Sequence, residues 1–409
     1  MTSCRFCRAP LETTFVDLGM SPLCESFVPP ERFDAMEPFY PLHVRVCDRC
    51  LLVQLPEYVA PDEIFTEYAY FSAYSDSWVE HARRYAEAMI ARYGLGRDSR
   101  VVEIASNDGY LLQHFVARGI PVLGVEPARN VAEAARERGV PSVSVFFGEA
   151  TARDLVAEGG HADLVPANNV LAHVPDINDF VAGLAVLLAP RGVATLEFPH
   201  LLRLIQGNQF DTIYHEHYSY LSLHTVEQIF GAHGLRVVDV DELPTHGGSL
   251  RIYARHAEDD SEPVSDRVPA LRALEREHAL DRRDGYRGFG PIVEATKRRL
   301  LEFLISARDA GRRVVGYGAP GKGNTLLNYC GIRTDLLEYT VDRNPYKHGL
   351  ALPGTRIPIH PPDHLEQDAP DYVLILPWNL RDEIAAQLRH LSDRGTRFVV
   401  PIPAVEVVA

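Results

Sequence analysis

The sequence predicts an α/β protein preceded by a small cysteine-bound module, and three observations carry this prediction. Four cysteines form two Cys-x-x-Cys pairs within the first 50 residues. From residue 100 onward, apolar runs of strand length alternate with helical patterns, which is typical of a doubly wound, largely parallel sheet. A second strand, glycine-rich turn and helix begin at residue 313, after a highly charged stretch. Because 409 residues exceed what one hydrophobic core usually organises, we expect several domains.

The composition of the chain indicates which classes of binding partner to expect. Hydrophobic residues make up 46% and charged residues 24% of the chain, as in globular proteins with an ample core. The formal net charge of −15 argues against a broad phosphate-binding surface, so we expect no nucleic-acid partner. The N-terminus lacks a signal-peptide pattern, and no apolar run reaches the roughly 20 residues that span a bilayer. We therefore expect a cytoplasmic protein with no membrane partner.

The paired cysteines predict a structural zinc site. Cys4 and Cys7 form one pair and Cys47 and Cys50 the other. Two thiolates three positions apart can hold one ion from a tight turn, and the second pair completes a closed tetrahedral site. Two disulfides are the alternative, but they would suit a secreted protein. The two remaining cysteines, Cys24 and Cys330, are expected to be buried thiols.

The central strands predict a nucleotide-like ligand. The turn after the first strand of this region contains Ser106, Asn107 and Gly109, and the next strand ends in Glu126. An acidic residue at that position can accept hydrogen bonds from both hydroxyls of a ribose. A turn with a single glycine accommodates a pyrophosphate poorly but suits a ligand with an amino-acid end, such as S-adenosylmethionine. A generic nucleotide fold remains the alternative.

The C-terminal glycine-rich turn predicts an anion site. Residues 258–288 are highly charged, and we interpret them as a solvated linker and helix face. Beyond them, Gly316–Gly321 fits G-x-G-x-x-G and Asp342 ends the following strand, as in a dinucleotide site. A P-loop is excluded because Gly323 occupies the Ser/Thr position. Lys322 beside exposed amides would suit a diphosphate, and a surface turn with scattered charge is the alternative.

The stretch DTIYHEHYSY, residues 211–220, predicts proton transfer. Its His215-Glu216-His217 is not H-E-x-x-H, and it lacks both the i, i+4 spacing and a third ligand of a metal site. A purely aromatic core would require a buried partner for each of many polar groups. In the third interpretation, an imidazole acts as general base, a carboxylate orients a ring and a phenol stabilises developing negative charge. Removal of a proton next to a carbonyl requires such a set.

Taken together, these motifs resemble those of the S-adenosylmethionine-dependent C-methyltransferases that act on nucleotide-linked 4-keto deoxysugars in antibiotic and surface-polysaccharide sugar synthesis. The resemblance covers essentially the whole chain: it runs through the paired cysteines, EYAYFSAYS, VVEIASNDGYLL, FDTIYHEHYSYLSL, HGGSLRIY, GYGAPGKGNTLLNYCGI and DRNPYKHG. It implies a zinc-binding module (1–70), a Rossmann-like methyltransferase domain (71–260), a helical linker (261–290) and a C-terminal Rossmann-like domain that binds the sugar nucleotide (291–409).

The resemblance also implies site residues. His217 corresponds to the catalytic base, Tyr214 and Glu216 support it, and His173 and Tyr68 match positions that line the active site. The methyl donor is expected at Glu103, Ser106, Asn107, Gly109, Glu126, Asn168 and Asn169. The substrate is expected at Lys322, Asn324, Arg343 and Tyr317. We expect methylation at C-3′ of a dTDP-linked 4-keto deoxysugar by a monomeric enzyme.

Two other functions are compatible with parts of the sequence. A nicotinamide-dependent sugar-nucleotide oxidoreductase would use the G-x-G-x-x-G turn for its cofactor. A zinc module with degenerate α/β domains would serve as a binding scaffold, although the net acidity and the proton-transfer cluster argue against it. Binding of NADH would favour the first, and failure to bind any S-adenosyl compound would favour the second.

Overall fold

The structure is a computed structural model that describes residues 2–60, 72–74 and 76–408. The chain divides into two compact units, and each unit is assembled from three separate segments. Unit one comprises Met1–Leu11, Cys47–His200 and Tyr218–Arg282, and unit two comprises Glu12–Val46, Leu201–His217 and Arg283–Ala409. Among the described residues, no helix is both long and apolar enough to cross a membrane.

The described residues form 17 strands, which in chain order are β1 Thr13–Ser21, β2 Tyr40–Val46, β3 Val53–Gln54, β4 Val101–Ile104, β5 Val122–Val125, β6 Ser142–Val143, β7 Ala162–Asn168, β8 Leu188–Pro199, β9 Ser219–Tyr220, β10 Leu235–Leu243, β11 Ser249–His256, β12 Val314–Tyr317, β13 Thr340–Val341, β14 Ile359–His360, β15 Tyr372–Ile375, β16 Arg397–Val400 and β17 Glu406–Val408.

The same part of the chain forms 13 α-helices: α1 Asp76–Tyr93, α2 Leu112–Val116, α3 Arg129–Glu137, α4 Glu149–Gly159, α5 Ile177–Leu187, α6 Leu201–Gln206, α7 Leu223–Ala232, α8 Arg267–Glu277, α9 Phe289–Asp309, α10 Gly321–Cys330, α11 His364–Asp368, α12 Arg381–Gln387 and α13 Arg389–Ser392.

Unit one is built on a seven-stranded sheet in the order β10-β11-β8-β7-β4-β5-β6. The strands from β8 to β6 are parallel to their neighbours, and β11 runs antiparallel to both β8 and β10. Successive residues of β4 alternate between two apolar cores: Val101 lies in one, and Val102 and Ile104 lie in the other. Both faces of the sheet are therefore covered, as the continuous apolar runs of the sequence predict.

Unit one has its topological switch point between β4 and β7. The chain builds the sheet outward from β4 through β5 to β6 and then returns to the other side of β4 with β7. In open α/β sheets, ligands bind beyond the carboxyl ends of the strands at such a point. The turn after β4 and the residues that end β7 are accordingly the ligand-binding edge of this unit.

Unit two contains a six-stranded sheet in the order β14-β13-β12-β15-β16-β17. Its strands are parallel except for the antiparallel edge strand β17. The switch point lies between β12 and β15. Sheets of this kind bind ligands at such a point, so we name the glycine-rich turn after β12 and the residues after β15 the ligand-binding edge of this unit. In the same unit, β1 pairs with β2, and Phe15 of β1 stacks on Phe289 of α9 with ring centres 4.8 Å apart. The α/β fold class is confirmed.

The charged stretch 258–288 is not only a solvated linker. It contains α8, in which Val268, Leu271 and Glu275 are buried. The Glu275 carboxylate accepts hydrogen bonds from the backbone N–H groups of Leu223 and His224 at 2.7 and 2.9 Å and contacts Nε2 of His200 at 2.7 Å. The interpretation as solvated charge is wrong for Glu275 because this carboxylate satisfies the open N–H groups at the start of α7.

Candidate active site and zinc centre

The four paired cysteines meet at one point in unit one. Their sulfur atoms all lie within 4.8 Å of one another, and the Cys4–Cys50 and Cys7–Cys47 sulfur distances are both 3.5 Å. No disulfide joins any of the four, so the disulfide alternative does not hold. A zinc ion bonded to four sulfurs at about 2.3 Å places them roughly 3.8 Å apart. The donor set and its spacing therefore fit a closed structural zinc site.

Arg5 ties the zinc loop to the rest of unit one. Its backbone N–H donates to Oε1 of Gln54 at 2.8 Å, and Nε2 of Gln54 donates to the Cys4 sulfur at 3.2 Å. Its guanidinium donates to the carbonyls of Leu55 and Pro175 at 2.5 and 2.6 Å. Arg5 is only 8% exposed, so the zinc loop is joined to the rest of unit one through a buried side chain with defined partners.

The ligand-binding edge of unit one carries buried polar atoms without a hydrogen-bond partner among the described residues. They are both carboxylate oxygens of Glu103, Oγ of Ser106 and Oδ1 of Asn168. Burial, and then the neighbouring carboxylates of Glu126 and Asp108, raise the pKa of Glu103 well above its ordinary value. Unsatisfied acceptors in an acidic crevice fit a cationic ligand. S-adenosylmethionine, which carries an ammonium and a sulfonium, has that chemistry.

Glu126 and the turn after β4 are held together by backbone hydrogen bonds. The Glu126 carboxylate accepts from the N–H groups of Asn107 and Ala128, both at 3.0 Å, while burial raises its pKa. Gly109 has φ +78°, and a Cβ there would stand 2.9 Å from a Val140 methyl, so only glycine fits. Asn169, with φ 53°, donates its N–H to the Glu197 carbonyl at 2.7 Å.

Residues 211–217 of the catalytic segment predicted from the sequence lie in turns of unit two, whereas Ser219–Tyr220 form β9 of unit one. His217 is 9% exposed, and its Nδ1 lies 2.8 Å from the Thr212 carbonyl oxygen. A carbonyl can only accept, so in the neutral ring the hydrogen is on Nδ1 and Nε2 is the atom that can take a proton. The Tyr214 ring packs against the His217 ring with centres 4.1 Å apart. The ring is therefore held by the Thr212 carbonyl and by the Tyr214 ring, and its role as a base remains a prediction.

The neighbouring histidine has a different environment. His215 is 4% exposed, and its Nε2 hydrogen-bonds the Pro41 carbonyl at 3.3 Å. Its ring meets Tyr40 edge-on at 5.8 Å, and burial lowers its pKa. The aromatic-core interpretation therefore applies to His215. Glu216, between the two histidines, is buried and accepts from the Cys24 thiol at 3.8 Å.

Of the two other residues predicted to line the active site, the structure describes His173 but not Tyr68. His173 closes the 3-10 turn Leu171–His173 of unit one, directly after β7 and the switch point, and it is half-buried. The adjacent Ala172 carbonyl accepts the backbone N–H of Tyr218 at 2.8 Å. Tyr68 lies outside the residues that the structure describes.

The predicted substrate residues of unit two lie at or near the switch point. Lys322 is the second residue of α10, donates to Oδ1 of Asn379 at 2.7 Å and stands 4.8 Å from the Trp378 ring centre. Arg343 is exposed near Glu383, at 3.7 Å. The other two are packed internally: buried Asn324 donates to the Cys24 carbonyl at 2.6 Å, and the Tyr317 hydroxyl donates to Gln387 at 3.2 Å.

Two backbone N–H groups of the glycine-rich turn already have hydrogen-bond acceptors within unit two. The N–H of Gly318 donates to the Val341 carbonyl at 2.6 Å, and that of Ala319 donates to Oδ2 of Asp342, also at 2.6 Å. The Glu25 carboxylate lies against Gly321, at the start of α10. A dinucleotide would need the helix N-terminus for its pyrophosphate and the Asp342 carboxylate for its ribose. Here the Glu25 carboxylate lies at the helix N-terminus, and Asp342 already accepts a hydrogen bond from Ala319, so both features are unfavourable for a dinucleotide.

Sequence reasoning missed the partners of the catalytic segment. Asp211, at its start, is completely buried and accepts a hydrogen bond from Nε1 of Trp378 at 2.7 Å. Asp211 is the first residue of DTIYHEHYSY, and Trp378 is one of two tryptophans in the chain. Neither residue belongs to a periodic pattern, and they lie 167 positions apart, so no local signal joins them.

Asp211 predicts a measurable dependence of stability on pH. Burial raises its pKa from 3.8 to about 7, although the Lys322 charge opposes the shift. The unfolded chain releases this proton near pH 4, whereas the folded chain retains it up to about pH 7. Stability therefore falls as the pH rises between these values, by about 4 kcal/mol in total. Asp211→Asn has no ionisable proton at this position, so its stability lacks this dependence on pH. As the pH rises from about 5 to 7.5, its melting temperature should therefore increase by several degrees relative to that of the unmodified protein. If the melting temperatures of the two proteins changed with pH in parallel across this range, the assignment of the raised pKa to Asp211 would be contradicted.

Comparison with known proteins shows the family. Three family models match the chain in series: "Putative zinc binding domain" over residues 4–65, "Methyltransferase domain" over 78–240 and "C-methyltransferase C-terminal domain" over 244–403. The C-methyltransferase NovU of Streptomyces niveus is 37% identical over 406 residues, which cover 99% of this chain and 96% of NovU. This chain belongs to the C-methyltransferase family.

The family sets the enzyme class. This C-methyltransferase depends on S-adenosylmethionine and acts on a small molecule, as the sequence predicts. The class replaces both the oxidoreductase and the scaffold alternatives. A ubiquinone biosynthesis O-methyltransferase of Caulobacter sp. (strain K31) is 34% identical over 123 residues, which cover 28% of this C-methyltransferase and 49% of that protein. The domain boundaries drawn from the sequence remain a prediction.

Proposed function

We propose that this C-methyltransferase methylates a carbon next to the keto group of a nucleotide-linked 4-keto deoxysugar, with C-3′ as the methylated carbon and dTDP as the nucleotide. The observation that carries the proposal is the orientation of His217. Its Nδ1–H is committed to the Thr212 carbonyl at 2.8 Å, so Nε2 is the basic atom of a buried ring. Transfer of a methyl group to a carbon next to a ketone requires a base that removes the C–H proton of that carbon, whereas transfer to a hydroxyl removes an O–H proton.

The residues around His217 suit the charge that develops during this step. Loss of the proton turns the keto group into an enolate, whose oxygen carries the negative charge. In the proposal the Tyr214 phenol, which packs against the His217 ring, stabilises that oxygen, and the Glu216 carboxylate favours the imidazolium that His217 becomes. S-adenosylmethionine supplies an electrophilic methyl group, so the reaction requires no catalytic metal, and the zinc ion is structural.

The assignment of the substrate class rests on the cations of unit two and on the resemblance of the motifs to sugar methyltransferases. Lys322 and Arg343 both follow strands of the second sheet at their carboxyl ends. Burial lowers the pKa of Lys322, and a diphosphate beside it would raise that pKa again by stabilising the charged ammonium. The Tyr317 and Asn324 side chains are packed internally, and we assign them to the support of this edge. We also propose that the enzyme is a monomer, which light scattering tests.

Residues at the switch point of unit one are proposed to hold the methyl donor. Glu103, Ser106 and Asn168 would face the amino-acid end, Glu126 would accept from the ribose hydroxyls, and Asn107, Gly109 and Asn169 would shape the turn. His173 and Tyr68 are proposed to line the reaction site.

Glu126→Gln should weaken donor binding. The substitution removes a charged acceptor at the ribose and places an amide N–H₂ against the backbone N–H groups of Asn107 or Ala128. Hydrogen bonds to charged groups contribute about 1.5–3 kcal/mol, which corresponds to a roughly 10–100-fold weaker affinity. Calorimetric titration with S-adenosylhomocysteine measures it. Glu133→Gln, on the exposed face of α3, is the matched control and should bind normally. Equal affinities of the two variants would remove Glu126 from the donor site.

The experiment that tests the function is incubation with S-adenosylmethionine and a panel of dTDP-linked 4-keto-6-deoxysugars, with products analysed by mass and carbon NMR. The expected product is one methylene unit heavier and has a new methyl on C-3′. The same incubation in heavy water without the methyl donor should introduce deuterium next to the ketone. Absence of both exchange and methylation across the panel would reject the substrate class, and a methyl on oxygen would reject the role of His217.

A further inference from the structure

Asp211 is a buried ionisable group that the proposed chemistry does not use. It is completely buried, and its Oδ1 has no hydrogen-bond partner among the described residues. Its Oδ2 accepts one hydrogen bond, from the Trp378 indole at 2.7 Å. Burial raises its pKa and outweighs the Lys322 charge and the backbone at Asp211 and Thr212, which favour the charged form. A buried ionisable side chain destabilises the fold, and such groups are concentrated at functional sites.

The backbone that carries Asp211 also holds the base. Asp211 is the central residue of the 3-10 turn Phe210–Thr212. The carbonyl of Thr212, the last residue of this turn, accepts Nδ1–H of His217 at 2.8 Å. The next carbonyl, that of Ile213, accepts the Thr325 hydroxyl at 2.9 Å from α10. Because the acceptor of Nδ1 determines where Nε2 points, a movement of this turn would redirect the basic atom.

Trp378 joins that turn to the ligand-binding edge of unit two. It opens the 3-10 turn Trp378–Leu380, three residues after the end of β15, on one side of the switch point. Lys322, which follows β12 on the other side, stands over its ring at 4.8 Å and bonds the adjacent Asn379 at 2.7 Å. The indole therefore has one face towards a cation of the proposed substrate site and its N–H towards Asp211.

We propose that Trp378 and Asp211 are positioning residues for His217: the indole N–H fixes the Asp211 carboxyl, the carboxyl fixes the Phe210–Thr212 turn, and the turn fixes the direction of Nε2. This inference rests on the proposed role of His217 as the base. Trp378 touches neither reacting atom, and it acts only through the turn. An indole nitrogen is solely a donor, so the contact needs an acceptor at position 211 but not a charge.

Because the Trp378 contact needs an acceptor at position 211, the variants are chosen to remove or keep the donor and the acceptor separately. Trp378→Phe retains an aromatic ring and removes the N–H. Asp211→Leu retains the approximate volume and removes the acceptor, whereas Asp211→Asn retains an acceptor oxygen. Tyr372→Phe, on β15 of the same sheet, removes a ring polar atom away from the turn and is the matched control. Thermal melting and zinc content establish that each variant is folded.

The test is the rate of deuterium exchange next to the ketone of the substrate, with methyl transfer measured separately. A displacement of about 1 Å at a catalytic group can reduce the rate about 100-fold. We expect Trp378→Phe and Asp211→Leu to lower exchange and kcat about 10–100-fold with the KM for S-adenosylmethionine unchanged. Asp211→Asn should stay within about threefold of the unmodified protein, and so should Tyr372→Phe. A normal exchange rate in Trp378→Phe, or a rate in Asp211→Asn as low as in Asp211→Leu, would overturn the proposal.

A measurement without substrate separates this inference from the proposed function. NMR with ¹⁵N-histidine labelling reports the tautomer of each ring, and the signal that disappears in His217→Asn identifies His217. The unmodified protein should show hydrogen on Nδ1, and this signal should shift in Trp378→Phe and Asp211→Leu but not in Asp211→Asn. If no sugar in the panel reacts, the proposed function fails while this experiment still decides the positioning. An unshifted His217 signal in Trp378→Phe would refute it.

Discussion

Replacement of His217 by asparagine should abolish methyl transfer, with a loss of at least about 10²–10⁴-fold in kcat. Asparagine can donate its side-chain N–H₂ to the Thr212 carbonyl that now accepts Nδ1–H, so the local backbone has a replacement contact. What it lacks is a basic nitrogen at the position of Nε2. Deuterium exchange next to the ketone should disappear together with methylation, because both begin with removal of the same proton.

Donor binding separates this prediction from a general loss of structure. The residues proposed to hold S-adenosylmethionine all belong to unit one, whereas His217 belongs to unit two. Calorimetric titration of His217→Asn with S-adenosylhomocysteine should therefore give the affinity of the unmodified protein. His215→Asn is the neighbouring comparison, and its effect should appear mainly in the melting temperature because that ring packs on Tyr40. Normal turnover in His217→Asn would sink the assignment of the base.

The sequence is sufficient for features that depend on local periodicity and motif spacing. The alternation of apolar runs predicts the strands and helices around both sheets, including α10, which is expected after the glycine-rich turn and observed at Gly321–Cys330. The two Cys-x-x-Cys pairs predict the sulfur cluster, because each pair is one turn and a closed zinc site needs two. The strand ends that carry Glu126 and Lys322 can likewise be placed on the ligand edges from sheet topology alone.

Features that depend on long-range packing cannot be predicted in this way. Glu275 lies in a charged run, and only the folded chain brings it to the open N–H groups of Leu223 and His224. The Asp211–Trp378 contact joins two segments far apart in sequence, and each residue alone would suit a surface turn. Nor does any local pattern indicate that each unit takes three separate segments, since strand and helix signals are the same whichever core they enter.

Cys47→Ser should prevent the accumulation of folded, soluble protein. A serine hydroxyl is a poor zinc ligand, and binding of structural zinc contributes about 10–16 kcal/mol to folding in small zinc modules. The consequence extends beyond the zinc loop because Arg5, between two of the ligands, donates to the carbonyls of Leu55 and Pro175 and stands over the Tyr218 ring. Loss of the metal would release this buried guanidinium and leave it without fixed partners in the core of unit one.

The control for Cys47→Ser is Cys330→Ser, which replaces a buried thiol that lies outside the sulfur cluster. Burial raises the pKa of Cys330 to about 12, so it remains a neutral thiol, and its replacement should cost only the burial of one hydroxyl, about 1–3 kcal/mol. Metal analysis should find one zinc per chain in the unmodified protein and in Cys330→Ser. Removal of zinc by a strong chelator should reproduce the Cys47→Ser result as a loss of the cooperative melting transition of unit one. A soluble, zinc-free and fully active Cys47→Ser protein would show instead that the apolar contacts around the cluster hold the first segment of unit one without the ion.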